Sequence, residues 1–329
     1  MSYHYVFFRS KNSRYGSVVR STVDQRNWIK PKKVESVYTE RSDANPTGFL
    51  YKGFPTPTRP EKLYMILRQN RFLIPFKNTI VLADVTSGSY IETDLTTQTT
   101  IVPYSDPNSV NVYFFYQRSR GILNVGCLRS DDSNNHGINL ASLSTLDTEL
   151  QKYPISGYPS MVHLDNHLDN GAQVFYVNSD KKLASFNIDF NRQSVTEQRT
   201  YSGITVTGSP SLIYNAQRGE YTVFYRGQYN ELRYATFVAH GAKAGNFLTD
   251  GRLVNNRTKV FSSPSVIYEN SEATVYFIGD DEKMWMYKID MEGNSPNIKS
   301  YRGNFVDGSV SNEDGDAPFA IASATRVLL

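Results

Sequence analysis

Short apolar runs separated by polar turns recur along this chain at intervals of about 50 residues, a period that usually fixes an architecture. Three copies open with proline and serine followed by two apolar residues, at Pro159, Pro210 and Pro264. Each copy continues into an apolar aromatic run, at Val174–Tyr176, Val223–Tyr225 and Val275–Phe277. An aliphatic residue follows each run after a further turn, at Leu183, Leu232 and Met284.

Fainter copies complete the series. Pro55 and Pro103 begin two of them. Pro318 begins another, but the chain ends at Leu329 before an aromatic run is reached. The missing run stands at the other terminus, at Val6–Phe8. Joined tail to head, the two ends form a sixth repeat.

The repeats predict strands rather than helices. In the copy that begins at Pro210, apolar segments of four to six residues alternate with turns rich in glycine and asparagine, the pattern of antiparallel strands. Four strands in a repeat of this length correspond to one blade of a β-propeller. We therefore expect an all-β fold, a six-bladed β-propeller of four-stranded antiparallel blades. A two-sheet sandwich is the competing architecture. The segment Gly137–Leu150 is the one place where the pattern also allows a short helix in place of a strand.

Closure of the ring is expected to come from the termini. A strand within Phe319–Leu328 would pair with a strand at Tyr3–Arg9, which removes an exposed sheet edge. The whole chain then forms a single domain over residues 1–329. The expected blades cover approximately residues 318–329 with 1–50, then 54–100, 103–155, 158–205, 209–260 and 263–314.

Composition narrows the possible classes of protein. The net charge is only +3 and the basic residues are scattered, which disfavours a nucleic-acid surface. Cys127 is the single cysteine, so no intrachain disulfide can form, and its apolar neighbours predict a buried thiol in a strand. Neither a secretory signal nor a membrane-spanning segment is visible. The expected localisation is cytoplasmic, or released without a signal peptide.

A cluster of histidine and aspartate is the one candidate metal site, formed by His163, Asp165, His167 and Asp169. Imidazole and carboxylate groups can bind a metal ion, but the cluster lies between two predicted strands and is rich in turn-forming residues. An exposed hairpin loop is the favoured interpretation. We therefore expect no cofactor, with bound calcium as an open alternative.

Arginine follows the aromatic run in three repeats, at Arg9, Arg68 and Arg226. The planar fork of the guanidinium group suits vicinal hydroxyls and carboxylates. Tyr234 and Trp285 are candidates for stacking on the apolar face of a sugar. The alternative interpretation is structural: the arginines hydrogen-bond within the fold, and Trp285 is buried between blades.

Evidence for an enzyme is weak. Glycoside hydrolysis uses a pair of converging carboxylates, yet no carboxylate recurs at one position of the repeats, and no nucleophile elbow or phosphate loop is present. A propeller glycoside hydrolase or another glycan-active enzyme nevertheless stays open, as does a protein-binding scaffold.

The Pro anchors and aromatic runs resemble the six-bladed propeller of the fungal fucose-specific lectins. The resemblance implies sugar sites between adjacent blades, each with an arginine opening the second strand and a glutamate on the third. This chain departs from that pattern. The arginine positions hold Tyr5, Tyr64, Asn111, Gln173, Thr222 and Thr274, and the glutamate positions hold Arg20, Pro75, Asn124, Ser185, Tyr234 and Met286.

The sequence thus predicts a non-catalytic, lectin-like protein that binds glycans or glycoconjugates in pockets between blades, by residues other than those of the fucose site. Display of several sites would raise a weak affinity, and a homo-oligomer is possible. Neither a nucleic acid nor a membrane is an expected partner.

Overall fold

The computed structural model describes residues 3–9, 16–20, 32–33, 47–51, 62–70, 78–84, 90–97, 99, 101–105, 111–119, 121–131, 137–164, 171–240, 243–253, 258–293, 295–303 and 321–324. Within these residues the chain forms 24 β-strands and one α-helix.

Two compact units divide the chain: residues 1–153 with 320–329, and residues 154–319. The following strands and the helix precede residue 154: β1 (Tyr3–Arg9), β2 (Gly16–Arg20), β3 (Lys32–Lys33), β4 (Thr47–Tyr51), β5 (Lys62–Asn70), β6 (Asn78–Asp84), β7 (Tyr90–Thr96), β8 (Val102–Ser105), β9 (Val112–Ser119), β10 (Ile122–Asp131), β11 (Gly137–Ser142) and α1 (Ser144–Leu150). The second unit contains β12 (Ser160–His163), β13 (Gly171–Val177), β14 (Lys182–Asp189), β15 (Ser194–Thr205), β16 (Thr207–Asn215), β17 (Glu220–Arg226), β18 (Leu232–Val238), β19 (Phe247–Leu253), β20 (Ser265–Glu269), β21 (Glu272–Ile278), β22 (Met284–Asp290) and β23 (Asn297–Gly303). Strand β24 (Ile321–Ala324) returns to the first unit.

The strands form four-stranded antiparallel sheets, the blades of an all-β propeller. Five sheets are built from consecutive strands: sheet 2 (β4–β7), sheet 3 (β8–β11), sheet 4 (β12–β15), sheet 5 (β16–β19) and sheet 6 (β20–β23). Sheet 1 has the order β24-β1-β2-β3. In sheet 1, Val6 pairs with Ile321 and Tyr3 with Ala324, so strands from the two ends of the chain share one sheet. The sandwich alternative is wrong, because the strands separate into these small sheets.

Burial follows the position of a strand in its sheet. In the second unit, the aromatic runs form the second strands β13, β17 and β21, which are buried almost throughout. The outer strands β15, β19 and β23 are mostly exposed. The middle strands are buried on both faces, so their sequences are continuous apolar runs rather than an alternation of apolar and polar residues.

The repeated Pro-Ser motif has a structural role in the second unit, where it joins the innermost strands of neighbouring sheets. The Ser209 hydroxyl accepts the Tyr158 N–H at 2.8 Å, and the Ser263 hydroxyl accepts the Ser209 N–H at 2.8 Å. Two further hydroxyls accept from the sheet that follows them in the chain instead of the one that precedes them. The Ser160 hydroxyl accepts the Leu212 N–H, and the Ser211 hydroxyl accepts the Val266 N–H. Buried backbone donors need a partner, and serine supplies it where adjacent inner strands do not pair directly.

Apolar side chains fill the spaces between consecutive sheets. One cluster joins sheets 4 and 5 through Phe175, Tyr221 and Phe237. Another joins sheets 5 and 6 through Phe224, Phe277 and Tyr287. A third lies between sheets 2 and 3 in the first unit. The described core of each unit is therefore layered, with one cluster between sheets 2 and 3 in the first unit and two, between sheets 4 and 5 and sheets 5 and 6, in the second.

Three details refine the expectations from sequence. Strand β4 pairs with β5, so the first strand of sheet 2 lies before Pro55 rather than at it. The segment Gly137–Leu150 is half strand and half helix, with α1 held by Asp147, whose carboxylate accepts the Val125 N–H at 2.7 Å.

Cys127 is buried in β10, as predicted. Whether the chain is a single domain stays a prediction.

Among the described residues, α1 is the only α-helix, and no helix there has the length and apolarity needed to cross a bilayer.

Candidate functional site

A pocket of about 280 Å³ lies between sheets 5 and 6, within the second unit. Its walls come from three segments: the hairpin turn 227–231 between β17 and β18, the segment that leads from β19 into sheet 6, and the hairpin turn 279–283 between β21 and β22. The lining residues are Tyr229, Asn230, Glu231, Leu232, Arg252, Leu253, Thr258, Lys259, Val260, Asp280 and Tyr287.

The two hairpin turns share one backbone geometry, which also recurs in sheet 4. Gly227 donates its N–H to the Glu231 carbonyl and Gly279 donates to Lys283, each at 2.9 Å. The residue before the closing position takes a positive φ in both, 60° at Asn230 and 59° at Glu282. Asparagine tolerates this left-handed conformation better than most residues. The blade repeat therefore provides the same rigid turn several times, and only the side chains distinguish one turn from another.

Backbone and side-chain hydrogen bonds fix the connecting segment against both turns. The Val260 N–H donates to the Asn230 carbonyl of sheet 5 at 2.8 Å. The Thr258 hydroxyl donates to Asp280 Oδ1 at 2.8 Å, and the Lys259 N–H approaches the same oxygen at 3.4 Å. One oxygen of the Asp280 carboxylate is thus engaged by the protein, although the residue is exposed.

The floor of the pocket is apolar. Leu232, Leu253, Val260 and Tyr287 all belong to the core cluster between sheets 5 and 6. Burial raises the pKa of Tyr287 to about 12, with a smaller contribution from the neighbouring Tyr301. The phenol is therefore protonated at neutral pH and can donate a hydrogen bond. An apolar floor can hold the body of a small molecule, while the polar side chains of the walls orient it.

An ion-pair network holds the turn of sheet 5. Arg233 lies 3.5 Å from Glu231 and 2.6 Å from Asp250, and its Nε donates to the Tyr225 hydroxyl at 3.2 Å. Burial alone would lower the pKa of Arg233, but its hydrogen bonds to Tyr225 and Asp250 raise it above the ordinary value. The guanidinium is therefore always charged, and Glu231 is balanced by it.

Tyr229 stands at the tip of this turn. Its side chain is 75% exposed, which is unusual for an aromatic residue. Its N–H donates to Glu231 Oε2 at 2.9 Å, so the backbone is fixed while the ring stays in solvent. The equivalent residues of the other two turns are aspartates, Asp180 and Asp281. A rigid backbone with an exposed ring offers a stacking surface at little cost in conformational entropy.

The predicted ligand residue Arg226 is buried within the fold. Its Nε donates to the Thr207 carbonyl at 3.3 Å, and its Nη1 donates to the Phe261 carbonyl. These contacts join sheet 5 to the segment that enters sheet 6, and they correspond to the structural interpretation raised from sequence. A direct role in ligand binding stays a prediction.

Tyr234 and Trp285 lie in the same apolar cluster as the pocket floor, but they do not line the pocket. Tyr234 is buried and packs over Gly251, where a Cβ atom would come within 2.6 Å of its ring. Trp285 is partly buried over Gly303 and donates its Nε1–H to Asp281 Oδ1 at 3.0 Å. Each aromatic residue therefore depends on a glycine directly opposite on the outer strand.

The other predicted ligand residues lie in the first unit. Arg9 pairs with Gly16 in sheet 1, and Arg68 pairs with Ile80 in sheet 2. Their side chains lie outside the described part of the structure, so their proposed roles stay predictions.

For the candidate metal cluster, His163 ends β12, while Asp165, His167 and Asp169 fall outside the described residues. In the part of the chain that the structure describes, no group of three or more His, Cys, Asp or Glu side chains is arranged to hold a metal ion.

Sequence reasoning missed the residues that line the pocket. Glu231, Lys259 and Asp280 stand at turn or loop positions where charged residues are ordinarily solvated, so their identity alone carries no signal. Tyr229 did carry a signal, because the equivalent turn position holds aspartate in sheets 4 and 6.

Comparison with solved structures places the fold among β-propellers. The lectin of Aleuria aurantia, in complex with Fucα1-6GlcNAc, has a TM-score of 0.58 at 12% identity, covering 91% of each chain. The BP39L lectin of Burkholderia pseudomallei has a TM-score of 0.54 at 13% identity, covering 92% of this chain and 80% of that one. A periplasmic gluconolactonase of Pseudomonas aeruginosa has a TM-score of 0.53 at 11% identity, covering 92% and 83%.

The architectural resemblance to propeller lectins is thus confirmed, and at these identities it concerns the fold alone. No protein-family model matches the chain. No curated protein sequence matches it either.

Proposed function

We propose that the protein is a non-catalytic, lectin-like propeller that binds glycans in the pocket between sheets 5 and 6. The observation that supports this most strongly is the combination at one site of an exposed aromatic ring, an apolar floor and polar walls. Tyr229 can stack on the apolar face of a sugar ring. Asp280 and the Tyr287 hydroxyl can exchange hydrogen bonds with sugar hydroxyls.

The fold of the neighbours adds weight to a glycan ligand, since lectins recur among them. Fucose recognition as in those lectins has no support in the residues, because the expected arginine and glutamate positions hold other side chains. Glycans or glycoconjugates are therefore the proposed partners, without a cofactor. Nucleic acids and membranes are not proposed partners, and a homo-oligomer and the localisation inferred from sequence stay predictions.

We also infer that the six four-stranded sheets form one closed ring and a single domain. Pairing of β1 with β24 supports this closure, because it builds sheet 1 from both ends of the chain. Deletion of residues 317–329 would remove β24 and expose an edge of β1. We expect that truncation to lower the melting temperature strongly, and an unchanged melting temperature would contradict closure.

A glycan array tests the proposed function. The intact protein should bind a subset of glycans. Tyr229→Ala should lose at least about fivefold in affinity, by analogy with the about 1–3 kcal/mol that a nucleic-acid base gains by stacking on an aromatic side chain. Tyr90→Ala is the matched control, because Tyr90 is also an exposed aromatic residue but belongs to sheet 2. A blank array across all sugar classes, or equal binding by both variants, would overturn the proposal.

A glycan-active enzyme is the second candidate, supported by the fold of the gluconolactonase neighbour. Turnover of a panel of chromogenic glycosides and sugar lactones, abolished by Asp280→Asn, would favour it over simple binding.

A further inference from the structure

The pocket contains four charged residues that differ in how far the protein already satisfies them. Glu231 is buried, paired with Arg233 and bonded by the Tyr229 N–H. Asp280 has one oxygen engaged by Thr258 and by the Lys259 backbone. The carboxylates are therefore largely committed to holding the walls of the pocket in place.

The two cations of the pocket differ from the carboxylates. Lys259 and Arg252 are both exposed, and neither forms an ion pair with any residue of the described ranges. Arg252 stands directly across from Arg233 in the pairing of β18 with β19. Both carboxylates nearby, Glu231 and Asp250, form ion pairs with Arg233, and no carboxylate of the described ranges forms one with Arg252.

Charge that the protein leaves unpaired at a pocket is available to a ligand. An exposed cation gains most from an anionic group, and arginine can bind a carboxylate through two parallel hydrogen bonds. The pocket thus offers two cations without an ion pair in the described ranges, Lys259 and Arg252, against one such carboxylate, Asp280. Its aromatic rim and its floor suit the body of a sugar.

We propose that the pocket selects acidic sugars, in which a carboxylate or sulfate group is recognised by Lys259 and Arg252. This rests on the proposed glycan-binding function and specifies its ligand class. The sugar ring stacks on Tyr229, and the anionic group lies toward the two cations. Binding involves no covalent step and leaves the ligand unchanged.

Calorimetric titration with matched sugars tests the selection. Methyl glucoside, methyl glucuronoside and methyl glucoside 6-sulfate share one ring and differ in the group at C6. We expect the acidic sugars to bind more tightly than the neutral one, and the stronger of the two acids identifies the anion. Each of Lys259→Gln and Arg252→Gln should weaken acid binding about threefold, the range of an exposed ion pair. Higher salt should weaken it further.

Lys243→Gln is the matched control, since Lys243 is exposed in the turn at the other end of sheet 5 and its loss changes the net charge equally. It should leave acid binding unchanged, and all three variants should melt like the parent protein. Equal affinity for neutral and acidic sugars would overturn acid selection while leaving the glycan-binding function intact. Binding of no sugar at all would overturn both.

Discussion

Two neighbouring clefts of the second unit share one backbone plan but differ at the positions where a ligand could enter. Between sheets 5 and 6, Glu231 closes the hairpin turn, and the chain leaves β19 at Leu253 well before β20 begins at Ser265. Between sheets 4 and 5, the equivalent turn closes with Lys182, whose Nζ donates to the Thr205 hydroxyl at 2.8 Å. There β15 runs to Thr205, and only Val206 separates it from β16.

The difference shows which parts of a blade are free to vary. The turn geometry and the bond from the connecting segment to the turn are the same in both clefts, since Val206 donates to the Lys181 carbonyl as Val260 does to that of Asn230. The pocket lies where the connecting segment is longer and where the turn carries an aromatic residue. Function in such a fold depends on loops placed on a constant scaffold.

The largest expected effect concerns what the two clefts share, the apolar layer. The ring centroid of Phe237 lies 4.9 Å from that of Phe175, in the layer between sheets 4 and 5. The ring centroid of Phe277 lies 4.9 Å from that of Tyr287, and both rings belong to the layer between sheets 5 and 6. Phe237 and Phe277 are both fully buried. Changing either to alanine should lower the free energy of unfolding by about 3–5 kcal/mol, measured by urea denaturation. A large difference between the two variants would contradict equivalent layers.

The serine bridges should come next. Ser209→Ala leaves the buried Tyr158 N–H without its acceptor, and Ser263→Ala does the same to Ser209. Each should cost about 1–3 kcal/mol of unfolding free energy, because a buried donor is left unsatisfied. Ser300→Ala, at an exposed position of β23, is the control and should cost nothing measurable. If the three variants unfolded alike, the serines would not join the blades.

Exchange of one turn residue tests the functional difference directly. Glu231→Lys installs the lysine of the other cleft, removes the acceptor of the Tyr229 N–H and places a second cation beside Arg233. We expect glycan affinity to fall at least about tenfold, the loss typical of a hydrogen bond to a charged group. The reverse exchange, Lys182→Glu, should leave affinity unchanged. Loss of binding in Lys182→Glu instead would place the ligand in the other cleft.

The last expected effect is a pH dependence of stability. The pKa of Tyr287 is raised in the folded protein to about 12 from an ordinary value of 10.0. The unfolded chain therefore loses this proton first, and stability should fall as the pH rises from 10 toward 12. Tyr287→Phe should remove part of that fall in thermal melts. The remainder would come from the other tyrosines whose pKa values burial raises, which are Tyr201, Tyr225, Tyr268 and Tyr276. An identical pH profile for Tyr287→Phe would contradict the shift.

The strands of the second unit could be predicted from the sequence because their pattern repeats. The runs at Val174, Val223 and Val275 are buried on both faces, and such runs must be apolar whatever the ligand. The Pro-Ser motif was visible too, but its hydrogen bonds to the next blade were not, since they join residues more than fifty positions apart. The proline repeat predicts an inner strand that begins at Pro55, whereas β4 ends at Tyr51, because proline does not begin the inner strand in every sheet.

The candidate site was harder to predict, because a site that occurs once cannot be found by repetition. Arg226 is one of three arginines that follow the apolar runs, and the contacts described for it are with two backbone carbonyls of the fold. Tyr234 and Trp285, the predicted stacking residues, lie in the core between sheets 5 and 6 and not in the pocket lining, and their role in ligand binding stays a prediction. The residues that line the pocket lie on turns, where only the three-dimensional arrangement distinguishes a binding group from a solvated one.

A crystal structure of the protein with a glycan selected from the array tests the assignment of the site most directly. We expect the sugar to lie between sheets 5 and 6, with its ring against Tyr229 and its polar groups within hydrogen-bonding distance of Asp280 or Lys259. A sugar bound in the cleft beside Lys182, or anywhere else on the propeller with this pocket empty, would contradict it.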